Sequence, residues 1–315
     1  MTRVLLTGVA GFIGSHVGEI LLRHKNKVLG VDDLSTSKLE VHEYNLQGFK
    51  KAGGEFYLCD VTQQKLAEIA FYDFKPEVVI HLAAQSAITK AIKEPKSDLH
   101  ANGMGTLTML QLAKKHKVDR FVFASTSAVY REKQPFWGSV TEVWPCEPAN
   151  PYGISKLACE QYIRTMFPNH FICRLGNVYG PRQRGIGENQ VIARAFEHFI
   201  HGNDFKVVGH GNQKRDYVYV EDVAFAFFDG MLSDVIGTFN IATGKSHSVN
   251  QVLAEIEEIF DVPGYKWDHT QENDPRGNVG LNVLSAKHKV GWRSQISLGE
   301  GLKRTADWWK ELYNG

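Results

Sequence analysis

A glycine-rich turn close to the N-terminus constrains the fold of this chain more than any other stretch of its sequence. The apolar run from Arg3 to Thr7 is typical of a buried strand, and the segment GVAGFIGSH follows it, before an apolar-periodic stretch that ends at Leu22. Glycines allow unusual backbone angles without side chains in the way, so backbone N–H groups and a helix N-terminus can approach a pyrophosphate. The pattern predicts a strand, a turn and a helix that bind a dinucleotide.

An acidic residue after a second strand completes this pattern. The run from Lys27 to Val31 leads into Asp32 and Asp33, and Asp32 lies 18 residues beyond Gly14. A dinucleotide-binding unit places at this distance the carboxylate that receives the hydroxyls of the adenosine ribose. Such a carboxylate repels a 2′-phosphate, and the next residues, 34–36, include no arginine that could bind one. The sequence therefore predicts NAD, rather than NADP, as the cofactor.

Strand-like and helix-like segments alternate through the first half of the chain. Further strands are expected at Glu55 to Cys59, Val78 to Leu82, Arg120 to Ala124 and Phe171 to Arg174, and the clearest helix between them is expected at Asp98 to His116. This alternation predicts an α/β fold with a mostly parallel, doubly wound sheet.

Ligands bind such a sheet beyond the carboxyl ends of its strands. We therefore expect Asp60, the turn from Ala83 to Gln85 and the segment Ser125 to Ser127 on the same rim as the glycine turn. Asp60 is a candidate for the adenine edge. Asn102, inside the long helix, is interpreted as a packing or helix-kink residue.

The second half of the chain has a looser pattern, which predicts a smaller lid packed on the first half. Residues 1–179 are expected to form the dinucleotide-binding domain and residues 180–315 the substrate-binding domain, with a strand near 237–243 that returns to the first. Its other expected elements are the helices Gln190 to Ile200, Glu221 to Met231, Asn250 to Phe260 and Leu298 to Leu312.

A tyrosine and a lysine four residues apart are a candidate catalytic pair. If Asn150 and Pro151 open a helix, Tyr152 and Lys156 lie on one helix face. An ammonium about 4 Å from the phenol, at an effective dielectric constant of about 20, favours the phenolate by roughly 4 kcal/mol. That energy would bring the pKa of the phenol from about 10 to about 7. The same spacing also arises by chance on helix surfaces, and the motif alone does not separate the two interpretations.

Composition excludes several classes of function. The 36 basic and 35 acidic residues leave a net charge of +1, so we expect no attraction to nucleic acid or to an anionic membrane. No apolar run reaches the roughly 20 residues that span a bilayer, and no signal peptide is evident. The cysteines Cys59, Cys146, Cys159 and Cys173 are widely spaced, which argues against zinc and disulfides and favours a cytoplasmic protein. His81 is interpreted as structural, and no metal is expected.

Nine motifs, in order along the chain, resemble those of the extended short-chain dehydrogenase/reductases that act on nucleotide sugars. They are TGVAGFIGSH, VDDLS, CDV, HLAAQ, ASTSAVY, PYGISK, RLGNVYGP, RDYVYVEDV and FNIATG. The resemblance covers nearly the whole chain. It implies a Rossmann domain with a smaller α/β substrate-binding lid, NAD as the cofactor, a nucleotide sugar as the substrate, and a homodimer.

The same resemblance assigns residues to three roles. It implies that Thr126, Tyr152 and Lys156 are catalytic. The residues that it assigns to NAD, besides Tyr152 and Lys156, are Gly8, Gly11, Phe12, Ile13, Gly14, Asp32, Asp33, Asp60, Val61, Leu82, Ala83 and Ala84. Those assigned to the substrate are Gln85, Ser127, Asn177, Arg215 and Arg276, of which Asn177, Arg215 and Arg276 are expected at the diphosphate.

The residues after Thr126 favour one reaction within the family. Family 4,6-dehydratases carry an acidic residue or an Asp-Glu pair there, whereas this chain has Ser127 and Ala128, which cannot abstract a proton from carbon. The pattern is similar to that of the 4-epimerases. Open alternatives are a 4,6-dehydratase that uses Glu142 or Asp222, a UDP-uronic acid epimerase, and a non-catalytic dinucleotide-binding regulator.

The dimer is expected, by resemblance, to form through the helices from Asp98 to His116 and from Tyr152 to Met166. Apolar positions such as Leu107, Met109 and Leu110 are either part of that interface or part of the core.

Overall fold

A single parallel sheet organises the chain. The computed structural model describes residues 1–36, 39–130, 140–184, 190–271 and 280–314. The strands in these ranges are β1 (Arg3–Thr7), β2 (Lys27–Asp32), β3 (Glu55–Leu58), β4 (Val78–His81), β5 (Arg120–Thr126), β6 (His170–Leu175), β7 (Asn177–Tyr179), β8 (Lys206–Val207), β9 (Lys214–Arg215), β10 (Tyr217–Tyr219), β11 (Gly237–Ile241), β12 (His247–Ser248) and β13 (Asp268–His269). Within the described part of the chain, seven strands form the large sheet in the order β11-β6-β5-β4-β1-β2-β3.

The helices in the described ranges are α1 (Phe12–Arg23), α2 (Leu39–Lys51), α3 (Gln64–Phe74), α4 (Ile88–Lys93), α5 (Pro95–Leu99), α6 (Gly105–Lys115), α7 (Pro151–Met166), α8 (Val191–His201), α9 (Val220–Leu232), α10 (Val249–Ile259) and α11 (Leu298–Asn314). Helices α1, α2 and α9 cover one face of this sheet and α3, α6 and α7 cover the other. All pairings in the large sheet are parallel, which confirms the predicted doubly wound α/β fold.

The alternation of side chains along β1 explains why its sequence is apolar throughout. Val4 and Leu6 belong to the core that includes residues of α1, α2 and α9, whereas Leu5 belongs to the core that includes residues of α3, α6 and α7. All three side chains are fully buried. A strand with helices on both of its faces must be apolar at every position, so the run is continuous rather than alternating.

The predicted helix from Asp98 to His116 is divided in the structure. Helices α5 and α6 are joined by a π-helical turn, His100–Met104. Asn102, which the sequence predicts as a packing or kink residue, lies in this turn and is buried. A side chain that bonds outside its own helix can disturb the regular hydrogen-bond ladder, and the amide of Asn102 bonds to main-chain atoms of Gln85.

The apolar positions proposed for a dimer interface prove to be mostly core. Met109 and Leu110 are buried against the large sheet, and Leu107 is half-buried. Of the two interpretations that the sequence left open, Met109 and Leu110 therefore belong to the core, because the helix turns both of them toward the sheet.

The second half of the chain supplies both a lid and an edge strand. Helices α8, α10 and α11 enclose a separate apolar cluster that includes Phe196, Leu253 and Trp309. Three two-stranded pairs accompany it: β7 with β10, β9 with β12, and β8 with β13. Strand β11 instead lies beside β6 in the large sheet. No helix among the described residues is both long enough and apolar enough to cross a membrane.

Candidate active site

The glycine turn brings three elements into close approach. Gly8 has a φ of +76°, and its N–H donates to the Val31 carbonyl over 2.8 Å. A Cβ at Gly8 would lie 2.7 Å from the nitrogen of Ala83, and a Cβ at Gly14 would lie 1.9 Å from the carbonyl oxygen of Gly8. Both clashes are with backbone. The turn therefore requires glycine at these two positions for β1, α1 and the end of β4 to meet.

The first turn of α1 is open to a ligand. Gly11 is the N-cap residue, and no side chain caps the helix. The N–H groups of Phe12, Ile13 and Gly14 therefore lack partners within the helix, and the positive end of the helix dipole adds to them. An uncapped helix N-terminus reached through a glycine turn suits the pyrophosphate of NAD.

Asp32 lies at the carboxyl end of β2, beside this turn. Its two oxygens accept hydrogen bonds from the N–H groups of Ala10 at 3.0 Å and Leu34 at 2.9 Å. Burial raises the pKa of the carboxyl, while these two bonds oppose the rise. A carboxylate has about four acceptor positions, so it can still accept from ribose hydroxyls. The uncapped helix and this carboxylate together fit NAD.

The remaining residues predicted to bind NAD lie on the neighbouring loops. Asp33 is exposed and accepts from the N–H and Oγ of Ser35. Asp60 follows β3 and accepts from the Thr62 N–H at 2.8 Å. Val61 is part of the core, and Leu82, Ala83 and Ala84 follow β4 as half-buried residues.

His81, at the end of β4, has a structural role. Its ring nitrogens contact the hydroxyls of Thr7 at 2.7 Å and Thr106 at 3.2 Å. Complete burial lowers the pKa of His81 to about 3, so the ring is neutral at physiological pH. This agrees with the interpretation from the sequence.

The start of α7 is fixed by its own side chains. The predicted opening is confirmed: the Asn150 side chain accepts from the Gly153 N–H at 2.9 Å, and Pro151 occupies the first turn. A Cβ at Gly153 would lie 2.3 Å from the Ala128 carbonyl oxygen. The helix therefore packs directly against the turn that follows β5. This contact brings Tyr152 next to Thr126.

Tyr152 lies on the rim of the sheet, near enough to Thr126 for the threonine hydroxyl to favour the phenolate and so oppose a rise in the pKa of the phenol. The pKa of Tyr152 is nevertheless raised to about 12, because desolvation by the surrounding protein outweighs the opposing effect of Thr126. Thr126 also accepts from the Ala128 N–H at 3.1 Å, which closes the turn after β5.

Lys156 does not lower the pKa of the phenol in this geometry. Its Nζ donates to the Ala124 carbonyl at 2.9 Å and lies 4.7 Å from the centre of the Phe123 ring. The ammonium thus points at strand β5, and burial lowers its own pKa to about 8. The predicted phenol pKa near 7 is therefore wrong for this structure.

The side chain of Gln85 shapes a loop, and the predicted role of this residue in substrate binding remains a prediction. Its side-chain oxygen accepts from the Ala87 N–H at 2.6 Å, and its Nε2 donates to Asp98 at 2.9 Å. Asn102 Nδ2 donates to the Gln85 carbonyl at 3.1 Å and to Ser155 Oγ at 3.0 Å. The side-chain amide of Gln85 points into this network because the carboxylate of the buried Asp98 requires hydrogen-bond donors.

The residues expected at the substrate come from different parts of the fold. Ser127 opens the turn after β5, and Asn177 begins β7. Arg215 ends β9, and its Nη1 donates to the Lys214 carbonyl at 2.8 Å. Arg276 lies outside the described residues. Their contacts with a diphosphate remain predictions.

Asp216, next to Arg215, was not identified from the sequence. Its carboxylate accepts from the N–H and hydroxyl of Thr243 and from the Gly244 N–H, over 2.6 to 2.8 Å. Its carbonyl accepts from the Asn177 N–H at 2.8 Å. Burial raises the pKa of Asp216 to about 6. Its position beside Arg215 in the motif RDYVYVEDV was the only signal for it.

The two carboxylates considered as the base of a dehydratase accept hydrogen bonds from main-chain N–H groups. Glu142 Oε1 accepts from the Asn240 N–H at 2.9 Å. Asp222 Oδ2 accepts from the N–H groups of Gln295 and Ile296 at 3.0 Å.

Comparisons with known proteins agree with this geometry. A UDP-glucose 4-epimerase from Mycolicibacterium smegmatis is 32% identical over 315 residues, which cover 98% of each chain. A UDP-glucuronate 4-epimerase from Thermodesulfobacterium geofontis is 31% identical over 319 residues, which cover 98% of this chain and 96% of the relative.

A solved structure is similar over the whole fold. The crystal structure of UDP-glucose 4-epimerase from Thermotoga maritima with UDP-glucose superimposes with a TM-score of 0.90 at 33% identity, covering 98% of this chain and 99% of the other. The model of the NAD dependent epimerase/dehydratase family matches residues 4–242, which include the glycine turn, Thr126, Tyr152 and Lys156. The chain therefore belongs to the NAD dependent epimerase/dehydratase family.

Proposed function

We propose that this protein is an NAD-dependent 4-epimerase of a nucleotide sugar, acting on a UDP-linked hexose or its N-acetyl form. The observation that carries the proposal is the placement of Tyr152 beside Thr126, with Ser127 and Ala128 instead of a carboxylate directly after the threonine. The pair can handle the proton of one hydroxyl group. Without a carboxylate beside it, the site lacks the base that elimination of water requires.

The names of the relatives support the nucleotide and the reaction. The two relatives and the solved structure described above are UDP-glucose or UDP-glucuronate 4-epimerases. They differ in the sugar. Asn177 and Arg215 are proposed to contact the diphosphate, where the planar guanidinium of an arginine can meet two phosphate oxygens.

Each functional group of the site has one role in the proposed reaction. Bound NAD supplies a hydride acceptor at its nicotinamide ring. Tyr152 takes the proton of the 4-hydroxyl as C4 is oxidised and returns it when C4 is reduced from its other face. Thr126 holds the same hydroxyl in line with the phenol. Uncapped N–H groups at the start of α1 hold the pyrophosphate, and Asp32 holds the adenosine ribose.

The proposal places a requirement on Tyr152. Its pKa of about 12 leaves the phenol protonated at neutral pH. The pKa must fall when cofactor and substrate bind. Lys156, whose ammonium now donates to the Ala124 carbonyl, is the nearest source of positive charge on the same helix face.

An NMR-monitored panel of UDP-, GDP-, dTDP- and CDP-sugars tests the function. We expect the 4-epimer of a UDP-hexose, a UDP-N-acetylhexosamine or UDP-glucuronate to accumulate without a stable keto sugar. Accumulation of a 4-keto product would instead indicate a dehydratase. Absence of any conversion in the presence of bound NAD would contradict both readings and favour a non-catalytic regulator.

Tyr152→Phe tests the assignment of the base. We expect the rate to fall at least about a hundredfold, because a positioned acid–base group is lost, while NAD still binds. Tyr162→Phe is the matched control: Tyr162 lies on the same helix with its side chain 46% exposed, and its variant should turn over at the wild-type rate. Near-wild-type turnover in Tyr152→Phe would contradict the assignment of Tyr152 as the base.

The homodimer is proposed on the family resemblance and on exposed apolar side chains. Leu99 on α5, Met104 in the π-helical turn and Ile154 on α7 are each about half exposed. They replace the buried Met109 and Leu110 as interface candidates. Size-exclusion chromatography with light scattering should give about twice the mass of one chain, and Met104→Glu should shift this toward one chain. A monomeric wild type would exclude the dimer.

A further inference from the structure

A fully buried carboxylate lies on α7, one helical turn beyond Lys156. Glu160 Oε1 accepts from Ser125 Oγ at 2.5 Å and from Arg174 Nε at 2.9 Å. Its Oε2 accepts from Arg174 Nη2 at 2.6 Å and from Arg164 Nη2 at 2.7 Å. These four bonds use about all the acceptor capacity of a carboxylate. The side chain of Glu160 therefore has one orientation.

The ion pair between Glu160 and Arg174 is weak evidence for stability alone. Both side chains are almost completely buried. Removing two charges from water costs several kcal/mol for each ion, and an apolar pair of similar volume is often as stable. A buried ionic cluster with fixed geometry is more informative about what it orients.

The cluster ties α7 to the end of β5 beside the reacting groups. Ser125 is the residue before Thr126, and it is bonded to Glu160. The residue before Ser125, Ala124, accepts from Lys156 through its carbonyl. Two consecutive residues of the strand are thus joined to two consecutive turns of the helix. The next residue of the strand, Thr126, lies near Tyr152, which is one turn earlier on the same helix.

Arg174 anchors the cluster to the rest of the sheet. It lies on β6, and its guanidinium is 4.7 Å from the centre of the Tyr130 ring. The Tyr130 hydroxyl donates to Asn240 Oδ1 at 2.7 Å, and Asn240 lies on β11. Glu160 is therefore held by a network that crosses from the helix to β6, the neighbour of β5, and on to β11 at the edge of the sheet.

We propose that Ser125 and Glu160 are positioning residues, which hold α7 in register with β5 so that the phenol of Tyr152 meets the hydroxyl of Thr126. Neither residue touches the substrate in this role. The kinetic part of the proposal rests on the proposed function. The geometric part concerns only the contact between Tyr152 and Thr126 and can be measured without turnover.

Ser125→Ala is the decisive variant. It removes the bond between strand and helix but leaves the ion pair of Glu160 with Arg174 intact. Glu160→Gln, in contrast, leaves Arg174 buried without its anion and can fail to fold for that reason alone. Thr305→Val is the control, because it removes a buried hydroxyl that donates to the Gly301 carbonyl on α11, in the lid.

Turnover should separate positioning from simple stabilisation. We expect kcat of Ser125→Ala to fall by about tenfold to a hundredfold, since a displacement of about 1 Å at the reacting groups can cost that much. KM should change by less than about twofold, because no substrate contact is removed. Thr305→Val should keep the wild-type kcat. A lower melting temperature with unchanged kcat in Ser125→Ala would overturn the proposal.

NMR of protein labelled with ¹³C at the Cζ of tyrosine gives the readout without turnover. The resonance of Tyr152 is assigned by its loss in Tyr152→Phe. We expect it to shift in Ser125→Ala, as the contact with Thr126 weakens, and to stay in place in Thr305→Val. An unchanged resonance in Ser125→Ala would overturn the proposal even if the protein proved inactive on UDP-sugars. A shifted resonance in an inactive protein would instead count against the proposed function alone.

Discussion

Helices α1 and α7 begin at the same rim of the large sheet, yet their first turns are built in opposite ways. The first turn of α1 has no side-chain cap and follows a glycine turn that is packed against backbone. The first turn of α7 is capped by Asn150 and opened by Pro151. One helix leaves its backbone N–H groups for a ligand, and the other satisfies them internally.

This difference separates two ways of making a functional site. At α1 the main chain is the binding group, so the requirement falls on backbone shape and on residues that lack side chains. At α7 the side chains of Tyr152 and Lys156 are the working groups, so the helix start must be rigid. Burial raises the pKa of Tyr152 and lowers the pKa of Lys156, so the charged form of each side chain is less favourable here than in water.

The largest expected effect follows from crowding the α1 turn. In Gly14→Ala the new Cβ would meet the Gly8 carbonyl oxygen at 1.9 Å, so β1 and α1 must separate. We expect loss of NAD binding by calorimetry and a large drop in melting temperature. Gly299→Ala is the control, because the nearest contact there is the end of the flexible Glu255 side chain at 3.2 Å. Tight NAD binding by Gly14→Ala would contradict the claim that the backbone of the α1 turn forms the binding site.

A buried charge gives the next largest effect, at α7. Lys156→Met should stabilise the protein by up to about 3 kcal/mol at pH 7 while abolishing turnover, since a pKa lowered from 10.5 to about 8 reflects an unfavourable buried ammonium. The unfolded chain holds this proton up to the higher pKa, so the wild type gains stability as pH rises from about 8 to about 10.5.

Urea unfolding of the wild type and Lys156→Met at several pH values checks the sign. The difference in unfolding free energy should be largest below pH 8 and should shrink above it. A difference that grew with pH would mean that Lys156 is stabilised as an ammonium in the folded state.

The cap of α7 predicts a smaller change. Asn150→Ala removes the acceptor for the Gly153 N–H and should cost about 1 kcal/mol in unfolding free energy, as other N-cap losses do. Turnover should fall because Tyr152 lies in this first turn. Calorimetry should show at most a small loss of NAD affinity, through displacement of Tyr152 and Lys156, since α1 is untouched. A loss as large as that in Gly14→Ala would show that the two helix starts are coupled.

The smallest expected effect is the absence of a titration. In protein free of cofactor, the pKa of Tyr152 near 12 predicts no phenolate from this residue between pH 6 and pH 10. The ultraviolet difference between wild type and Tyr152→Phe at phenolate wavelengths should stay flat over that range. A phenolate signal centred near pH 7 would instead support the prediction from the sequence that Lys156 lowers the pKa of the Tyr152 phenol.

The sequence alone determined the elements and the binding turn. The strand, glycine turn and helix from Arg3 to Leu22, the carboxylate at Asp32 and the helix opened by Asn150 were all predicted where the structure has them. These features depend on local rules: hydrophobic period, backbone freedom at glycine, and capping within a few residues. Such rules act over short stretches and can be read without knowing the neighbours.

Only the tertiary structure decided how the side chains are used. In the folded chain the side chain of Gln85 bonds within its own loop, Met109 is buried in the core, and the ammonium of Lys156 points at strand β5. It also joined Glu160 to Ser125, 35 residues away in the chain. Desolvation and long-range hydrogen bonds depend on which elements pack together. For that reason a spacing of four residues could identify Tyr152 and Lys156 as a pair but could not give the pKa of either.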